Sequence, residues 1–234
     1  MDILLTMAGK YERFKQDGYK IPKYLLPWGY QTILAKIILN LDNKNIKNIY
    51  LIANKNDEQY LPHLLDHLKK FDIDRKNLIY LSDTSGQAET VFTALNLIKN
   101  YKNKFCIYNI DTILFGRNLI EIQQFLDLND IFVDVFKSNN KNYSYVLTKN
   151  NSNIISDISE KKVISNMASS GMYAFKNYSF FLDFYEKGDI FISDVIKKSI
   201  NKKSKVIAGE LFNENNTIVL GTPTQYQNNS ILML

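Results

Sequence analysis

The stretch TMAGKYERFKQDGYKIPKYLLPWG, residues 6–29, follows the apolar run Ile3-Leu4-Leu5 and precedes a helical pattern that starts at Gln31. It carries three glycines, two prolines, one arginine and four lysines. About two to six residues are enough to join a strand to a helix. A long, basic, glycine-punctuated loop at this point therefore calls for a role besides connection. Gly9 lets backbone N–H groups approach a ligand closely, as phosphate-binding turns require. Arg13 can hold a phosphate through two parallel hydrogen bonds, and Lys23 is a point charge whose approach Pro22 presets. The plainer alternative is a solvated surface loop. The position directly after the first strand favours an anion site.

Beyond the loop, short apolar runs alternate with helical patterns. Ile3–Thr6, Asn48–Ala53, Leu78–Leu81 and Phe105–Tyr108 read as strands. Residues 31–41, 58–70, 87–99 and 118–126 carry apolar side chains at helical spacing. This βαβα rhythm predicts a parallel sheet with helices on both faces. After residue 130 the rhythm changes. Ile131–Phe136, Tyr143–Leu147, Asn153–Ser156 and Ser170–Phe175 are closely spaced strand candidates, with Asn139–Asn142 as a hairpin tip. Helices over 178–186 and 190–200 follow. In such sheets ligands bind beyond the carboxyl ends of the parallel strands. That rule gathers the opening loop, Thr84-Ser85-Gly86-Gln87 and Asn109-Ile110-Asp111 into one neighbourhood.

The totals are compatible with this. A chain of 234 residues with 45% hydrophobic and 13% aromatic content can bury a core without staples. Its one cysteine, Cys106, excludes an internal disulfide framework and lies in an apolar run that predicts burial. No stretch is long and apolar enough to span a membrane, and Met1–Leu5 has no signal-peptide pattern, so a cytoplasmic protein is expected. The net charge of +5 comes from scattered lysines. It suits small anionic ligands and does not point to nucleic acid.

Asp111 has two readings. A lone aspartate at a strand end is a common cap or turn former. Beside a phosphate-binding loop it can equally hold Mg²⁺, which takes carboxylate oxygens, waters and substrate phosphates.

Taken in order, these segments resemble the sugar-phosphate nucleotidyltransferases. MAGKYERF…GYKIPKYLLPWG is similar to that family's opening Ala-Gly loop, its Arg and its Pro-Lys-x-Leu. SGQAETV resembles its base-side Gly-x-Ala segment, and YNIDT the segment with its metal-binding Asp. SYV and ISDISEKKVISNMASSGMYAFK resemble the acceptor-side Glu-Lys pair and Gly-x-Tyr-x-Phe strand. LGTPTQY resembles the closing Gly-Thr-Pro. The resemblance implies a Rossmann-like three-layer α/β/α sandwich with a mixed, mainly parallel central sheet. It implies one domain over residues 1–234, with a nucleotide half (about 1–130) and an acceptor half (131–234).

The activity implied is transfer of NMP from an NTP to a sugar 1-phosphate with loss of pyrophosphate, for bacterial surface polysaccharide. Met7, Ala8, Gly9, Lys10, Tyr11, Gly86 and Gln87 would meet the nucleotide. Arg13 would steady the pyrophosphate, Lys23 the α-phosphate, and Asp111 would hold Mg²⁺. Lys161 would grip the acceptor phosphate. Ser144, Tyr145, Glu160 and Gly171 would line the acceptor site. By strand alternation only one of Ser144 and Tyr145 faces the acceptor. Gln87 can instead close a capping box with Thr84. Glu160-Lys161-Lys162 can be a solvated turn, and Gly171 a simple bulge.

Two positions depart from the family pattern. Tyr11 stands where the loop usually has its second glycine, so either the loop bends differently or the ring covers the nucleotide. Val219 stands where many members have a second metal-binding Asp, which leaves Glu210 or Glu214 as candidate partners for Asp111. These departures keep open a non-catalytic nucleotide-binding regulator of the same fold. A cytidylyltransferase acting on a phosphorylated polyol is the nearest enzymatic alternative. A metal-dependent glycosyltransferase fits less well, because Asn109 fills its first acidic slot. The chain stops soon after the closing segment, so no appended β-helix or acyltransferase domain is expected; homo-oligomerisation is left open. His63 and His67 have zinc-compatible spacing but lack a third ligand and read as surface residues of an amphipathic helix.

Overall fold

The structure is a computed structural model that describes residues 1–41, 45–150 and 152–230. Strand β1 (Asp2–Met7) leads into the opening loop, which contains the short helix α1 (Glu12–Gln16) and ends in a small hairpin, β2 (Pro27–Trp28) and β3 (Gln31–Thr32). Then come α2 (Ile33–Asn40), β4 (Asn48–Asn54), α3 (Leu61–Lys70), β5 (Leu78–Leu81), α4 (Gln87–Ile98) and β6 (Phe105–Asn109). The second half runs β7 (Thr112–Leu114), α5 (Leu119–Leu128), β8 (Ile131–Lys137), β9 (Ser144–Thr148), β10 (Ile155–Glu160) and β11 (Met167–Phe175). It closes with α6 (Tyr178–Phe184), α7 (Ile192–Asn201), β12 (Val206–Phe212), β13 (Thr217–Val219) and α8 (Pro223–Ser230).

The main sheet has the order β10-β9-β11-β6-β1-β4-β5, with β8 paired to β11 and β12 to β8. Its centre, β5-β4-β1-β6, is parallel, and β11 is antiparallel to β6. Side chains alternate across the strands. Ile3, Leu5 and Met7 of β1 join one core with α2, α3 and α5, while Leu4 joins the other with α4, α6 and α7. β6 divides the same way, Cys106 and Tyr108 against Phe105 and Ile107. This is a three-layer α/β/α sandwich around a mixed sheet.

Several boundaries differ from the sequence reading. The helix read from Gln31 begins at Ile33, because the Thr32 hydroxyl caps it by accepting from Ala35 N (3.1 Å) and Gln31-Thr32 pair with β2. The helix read from Glu58 begins at Leu61, after a 3-10 turn over Lys55–Tyr60. Asn139–Asn142 is no hairpin tip: β8 and β9 do not pair but flank β11, whose Ala168 lies opposite Phe136 on one side and Tyr145 on the other. β10 is shifted to 155–160, which puts Glu160 on a strand rather than in a turn. β12 carries no clear strand pattern, since VIAGELF is interrupted by Gly209 and Glu210, and its pairing slips there.

One buried polar cluster holds the carboxyl-terminal segment in place. Arg117 donates to both oxygens of Asp134, to the carbonyls of Phe115 and Asn216, and to the Thr217 hydroxyl. The Arg117 and Asp134 side chains are 5% and 0% exposed, and the guanidinium stacks 3.7 Å from the Phe212 ring centre. Removing one partner of such a pair leaves a buried charge uncompensated. Arg117→Met is therefore expected to lower the unfolding free energy by about 3–5 kcal/mol in a urea titration; a loss below about 1 kcal/mol would contradict this reading of the cluster.

Candidate active site

Parallel pairing sets Thr6 opposite Asn109, so the chain leaves β1 and β6 at the same edge of the sheet. A cavity of about 620 Å³ opens there. It is lined by Met7, Ala8, Gly9, Lys10 and Tyr11 from the opening loop, by Lys23, by Gly86 and Gln87 at the start of α4, and by Asp111. A second cavity, about 340 Å³, adjoins it and is lined in part by Ser144, Glu160, Ser169, Gly171, Tyr173 and Phe191. Gly86, Gln87, Asn109 and Asp111 line both.

The centre of this arrangement is an ion pair. Lys23 Nζ lies 2.6 Å from Asp111 Oδ2, with the side chains 19% and 23% exposed. Burial pushes the Asp111 carboxyl up. The Lys23 charge and hydrogen bond, aided by the Thr112 hydroxyl, outweigh it and hold the group below the usual aspartate value. The closing segment comes up behind: Leu220 N donates to Asp111 O (2.7 Å), and a Cβ on Gly221 would lie 3.4 Å from Asp111 Oδ2.

The wall between the cavities is a chain of amides. Gln87 Nε2 donates to Thr6 Oγ1 (2.8 Å) and to Asn109 Oδ1. The other side of Asn109 packs on Gly171, where a Cβ would fall 2.3 Å from Nδ2. Gly171 has φ +88 and sits in the register shift of β11, so it is both a bulge and a close approach. Gln87 forms no capping box; the Ser85 N–H goes to Glu89 Oε2 (2.6 Å) instead. Gly86 owes its missing side chain to Ile190, whose carbonyl oxygen would be 2.3 Å from a Cβ.

The loop keeps its left-handed bend without the second glycine. Tyr11 has φ 42 and ψ 40. Its hydroxyl donates to Asp57 Oδ1 (2.5 Å) and Tyr24 OH to Asp57 Oδ2 (3.0 Å). Burial pushes the Asp57 carboxyl up, opposed by the two tyrosine hydroxyls and the Lys15 charge. Lys10 is paired with Asp83 (2.9 Å) at the rim, both side chains about half exposed, so little stability attaches to that pair.

The remaining residues singled out from the sequence divide. Ser144 and Glu160 meet: Ser144 and Ser193 hydroxyls both donate to Glu160 Oε2, the latter at 3.1 Å. Tyr145 is a correction. It is fully buried, packs with Phe136 and Ala168, and its hydroxyl donates to Asn140 O (2.8 Å); alternation along β9 turns it away from the cavity. Lys161 does not line either cavity; it follows β10 at φ 52, with its amine 4.9 Å from the centre of the Phe191 ring. Arg13 opens on the smaller cavity rather than the larger one, and among the described residues it has no carboxylate partner. Glu210 and Glu214 are exposed and line neither cavity, so neither stands in for the acid missing at Val219. Among the described residues no group of three or more His, Cys, Asp or Glu is arranged to hold a metal. His67 Nδ1 donates to His63 O (2.6 Å) and Nε2 accepts from Thr32 (2.7 Å), a helix-to-helix link.

Sequence reasoning missed Asn109 as a divider, Asp57 and Tyr24 as loop anchors, and the Tyr143–Gln225 contact (3.0 Å) at the far wall. One signal was present: Thr222 accepts from Gln225 N (3.2 Å), the Thr-x-x-Gln start of a helix.

Comparison with known proteins agrees with this fold. A family model described as nucleotidyl transferase matches residues 4–214. The bifunctional protein GlmU of Methanococcus aeolicus is 29% identical over 215 residues, covering 87% of this chain and 48% of the relative. The chain thus spans about half the length of the curated relatives it matches. Among solved structures, the nucleoside-diphosphate-sugar pyrophosphorylase of Vibrio cholerae RC9 superposes with a TM-score of 0.81 at 23% identity, covering 97% of this chain and 98% of that one. The inositol-1-phosphate CTP transferase of T. maritima gives 0.72 at 15%, covering 99% and 94%. At these identities the two structures establish the fold.

The Lys23–Asp111 pair has a pH signature. The folded carboxyl titrates below its unfolded value, so the unfolded chain binds more protons in that range. The contribution is complete above about pH 4 and is lost as pH falls through the folded value. In denaturant titrations at fixed ionic strength, the difference in stability between wild type and Asp111→Asn is expected to shift against wild type as pH drops below about 4. A pH-independent difference would contradict the assignment.

Proposed function

The chain belongs to the nucleotidyl transferase family, and from that premise we propose that it transfers NMP from an NTP to a sugar 1-phosphate, releasing pyrophosphate. The observation that carries this reading is the Lys23–Asp111 pair at the boundary of the two cavities. The NTP occupies the larger cavity, its base toward Gly86 and Gln87 and its phosphates on Gly9–Tyr11. The acceptor occupies the smaller one, its hydroxyls toward Ser144 and Glu160. In this division residues 1–130 form the nucleotide half and 131–234 the acceptor half. An acceptor phosphate oxygen forms a bond to the α-phosphorus, the bond to the β-phosphate oxygen breaks, and pyrophosphate leaves.

Little covalent work falls to the protein in such a reaction; position and charge dominate. Lys23, held by Asp111 in the free protein, is poised to turn to the α-phosphate oxygens as charge shifts. Arg13 serves the phosphates where the cavities meet. Lys161 is a rim cation for an incoming acceptor phosphate. Mg²⁺ typically uses one or two carboxylates plus substrate oxygens. Asp111, the one acid among the described residues lining the larger cavity, fits that demand without a second acid at Val219. When bound, Mg²⁺ would neutralise phosphate charge and orient the leaving group.

The likeness to the inositol-1-phosphate CTP transferase favours a second reading, a CTP-dependent transfer to a phosphorylated polyol. The hydroxyl- and carboxylate-bearing wall suits both acceptors. Dependence on NTP is the reason to assign the protein to the cytoplasm, and a nucleotide sugar for surface polysaccharide is the product we infer.

A pyrophosphate-release screen of the common NTPs against sugar phosphates and phosphorylated polyols tests the proposal. Lys23→Ala and Asp111→Ala are expected to lower turnover by about 10²–10³-fold, in line with loss of one preorganised charge, with far-UV circular dichroism unchanged. Near-normal turnover in both variants, or nucleotide binding without turnover across the panel, would overturn it.

A further inference from the structure

The shape of the opening loop is set from outside, by the end of β4 and the 3-10 turn that follows it. Asn54 Nδ2 donates to Ala8 O (3.1 Å), and Tyr60 donates its hydroxyl to Lys20 O (2.7 Å). Between them, Asp57 receives Tyr11 on one oxygen and Tyr24 on the other. Asp57 is 1% exposed and does not line either cavity, whereas Tyr11 and Tyr24 both line the larger one. One buried carboxylate therefore ties down the left-handed residue next to Gly9-Lys10 and the residue next to Lys23. The left-handed region is costly for a side chain as large as tyrosine, and it persists only where the surroundings impose it. Here the imposing group is visible: a charge-assisted hydrogen bond to Asp57, with the Lys15 amine 4.6 Å from the ring centre.

We propose that Asp57 is a positioning residue: it holds the opening loop in its phosphate-facing shape before ligand arrives, through the Tyr11 and Tyr24 hydroxyls. The assignment of phosphate as ligand rests on the function proposed above; the tether itself does not. The competing role for Tyr11 is a ring that covers the bound nucleotide, in which case the hydroxyl is dispensable and the ring is not. The two roles predict opposite orders for two substitutions. Tyr11→Phe keeps ring and strain but loses the tether. Tyr11→Gly loses the ring, and also removes the strain, since glycine takes positive φ freely.

The test has two arms. In the ligand-free protein, limited trypsin digestion reads the loop through Lys10, Arg13, Lys15, Lys20 and Lys23. Tyr11→Phe and Asp57→Asn are each expected to be cut there about tenfold faster than wild type, the size expected for loss of a hydrogen bond to a charged group. In the pyrophosphate-release assay, Tyr11→Phe is expected to raise the KM for NTP about tenfold, with kcat moving less, and Tyr11→Gly is expected to be the milder of the two. Asp57→Asn is expected to cost less in the Tyr11→Gly background than alone. Equal proteolysis of Tyr11→Phe and wild type would overturn the tether even if no NTP is turned over. Tyr11→Gly more damaging than Tyr11→Phe would overturn it in favour of the covering ring. If the wild type shows no turnover, the proposed function fails and the proteolysis arm alone decides this inference. Should Asp57→Asn not fold, the two Tyr11 variants carry both arms.

Discussion

β1 has parallel partners on both edges, β4 and β6, and that constraint organises the molecule. Parallel strands must all be left at the same end, so the loops after β1, β4 and β6 emerge together whatever their lengths. The register then sets the detail. Thr6 lies beside Asn109, and an amide from the start of α4 bridges them. A lysine and an aspartate 88 residues apart in sequence end up in contact because one lies in the loop that leaves β1 and the other in the turn that leaves β6, and those strands are neighbours.

That contact is a poised state. A carboxylate out of bulk water costs free energy unless a cation or donors attend it. Lys23 and Thr112 supply both for Asp111, and they keep it ionised where burial alone would raise its affinity for a proton. In the function proposed above, the lysine meets the triphosphate directly and the carboxylate through a divalent cation. The Arg117–Asp134 cluster serves rigidity by a different route. It ties the turn after β7 to β8 and to the start of β13, and so keeps the closing segment against Asp111.

The opening loop illustrates how a local rule can be broken and compensated elsewhere. Tyrosine at φ 42 contradicts the preference of the position, yet the chain adopts the bend that glycine would. The compensation comes from Asp57, on a turn just ahead of the segment that the sequence presents as a helix. It was not legible locally. Lys55–Tyr60 carries ordinary polar residues, and only the packing of β4 beside β1 brings them under the loop. The choice between Ser144 and Tyr145 is open in the sequence for a related reason: alternation states that they point to opposite faces, but not which face meets the cavity.

Periodicity and loop chemistry were enough to determine the alternation of strands and helices, the parallel centre of the sheet, and the edge at which Gly9, Lys23, Gly86, Gln87 and Asp111 gather. These follow from short-range rules: apolar spacing, turn residues and strand direction. Tertiary structure alone decided that Lys23 pairs with Asp111, that Asn109 divides two cavities, that Arg13 faces the smaller of them, and that Lys161 lines neither. It also decided that β8 and β9 flank β11 instead of pairing. Each of these is a contact between segments far apart in the chain, settled by register and by which side of a strand is already covered, and neither quantity is written in any one segment.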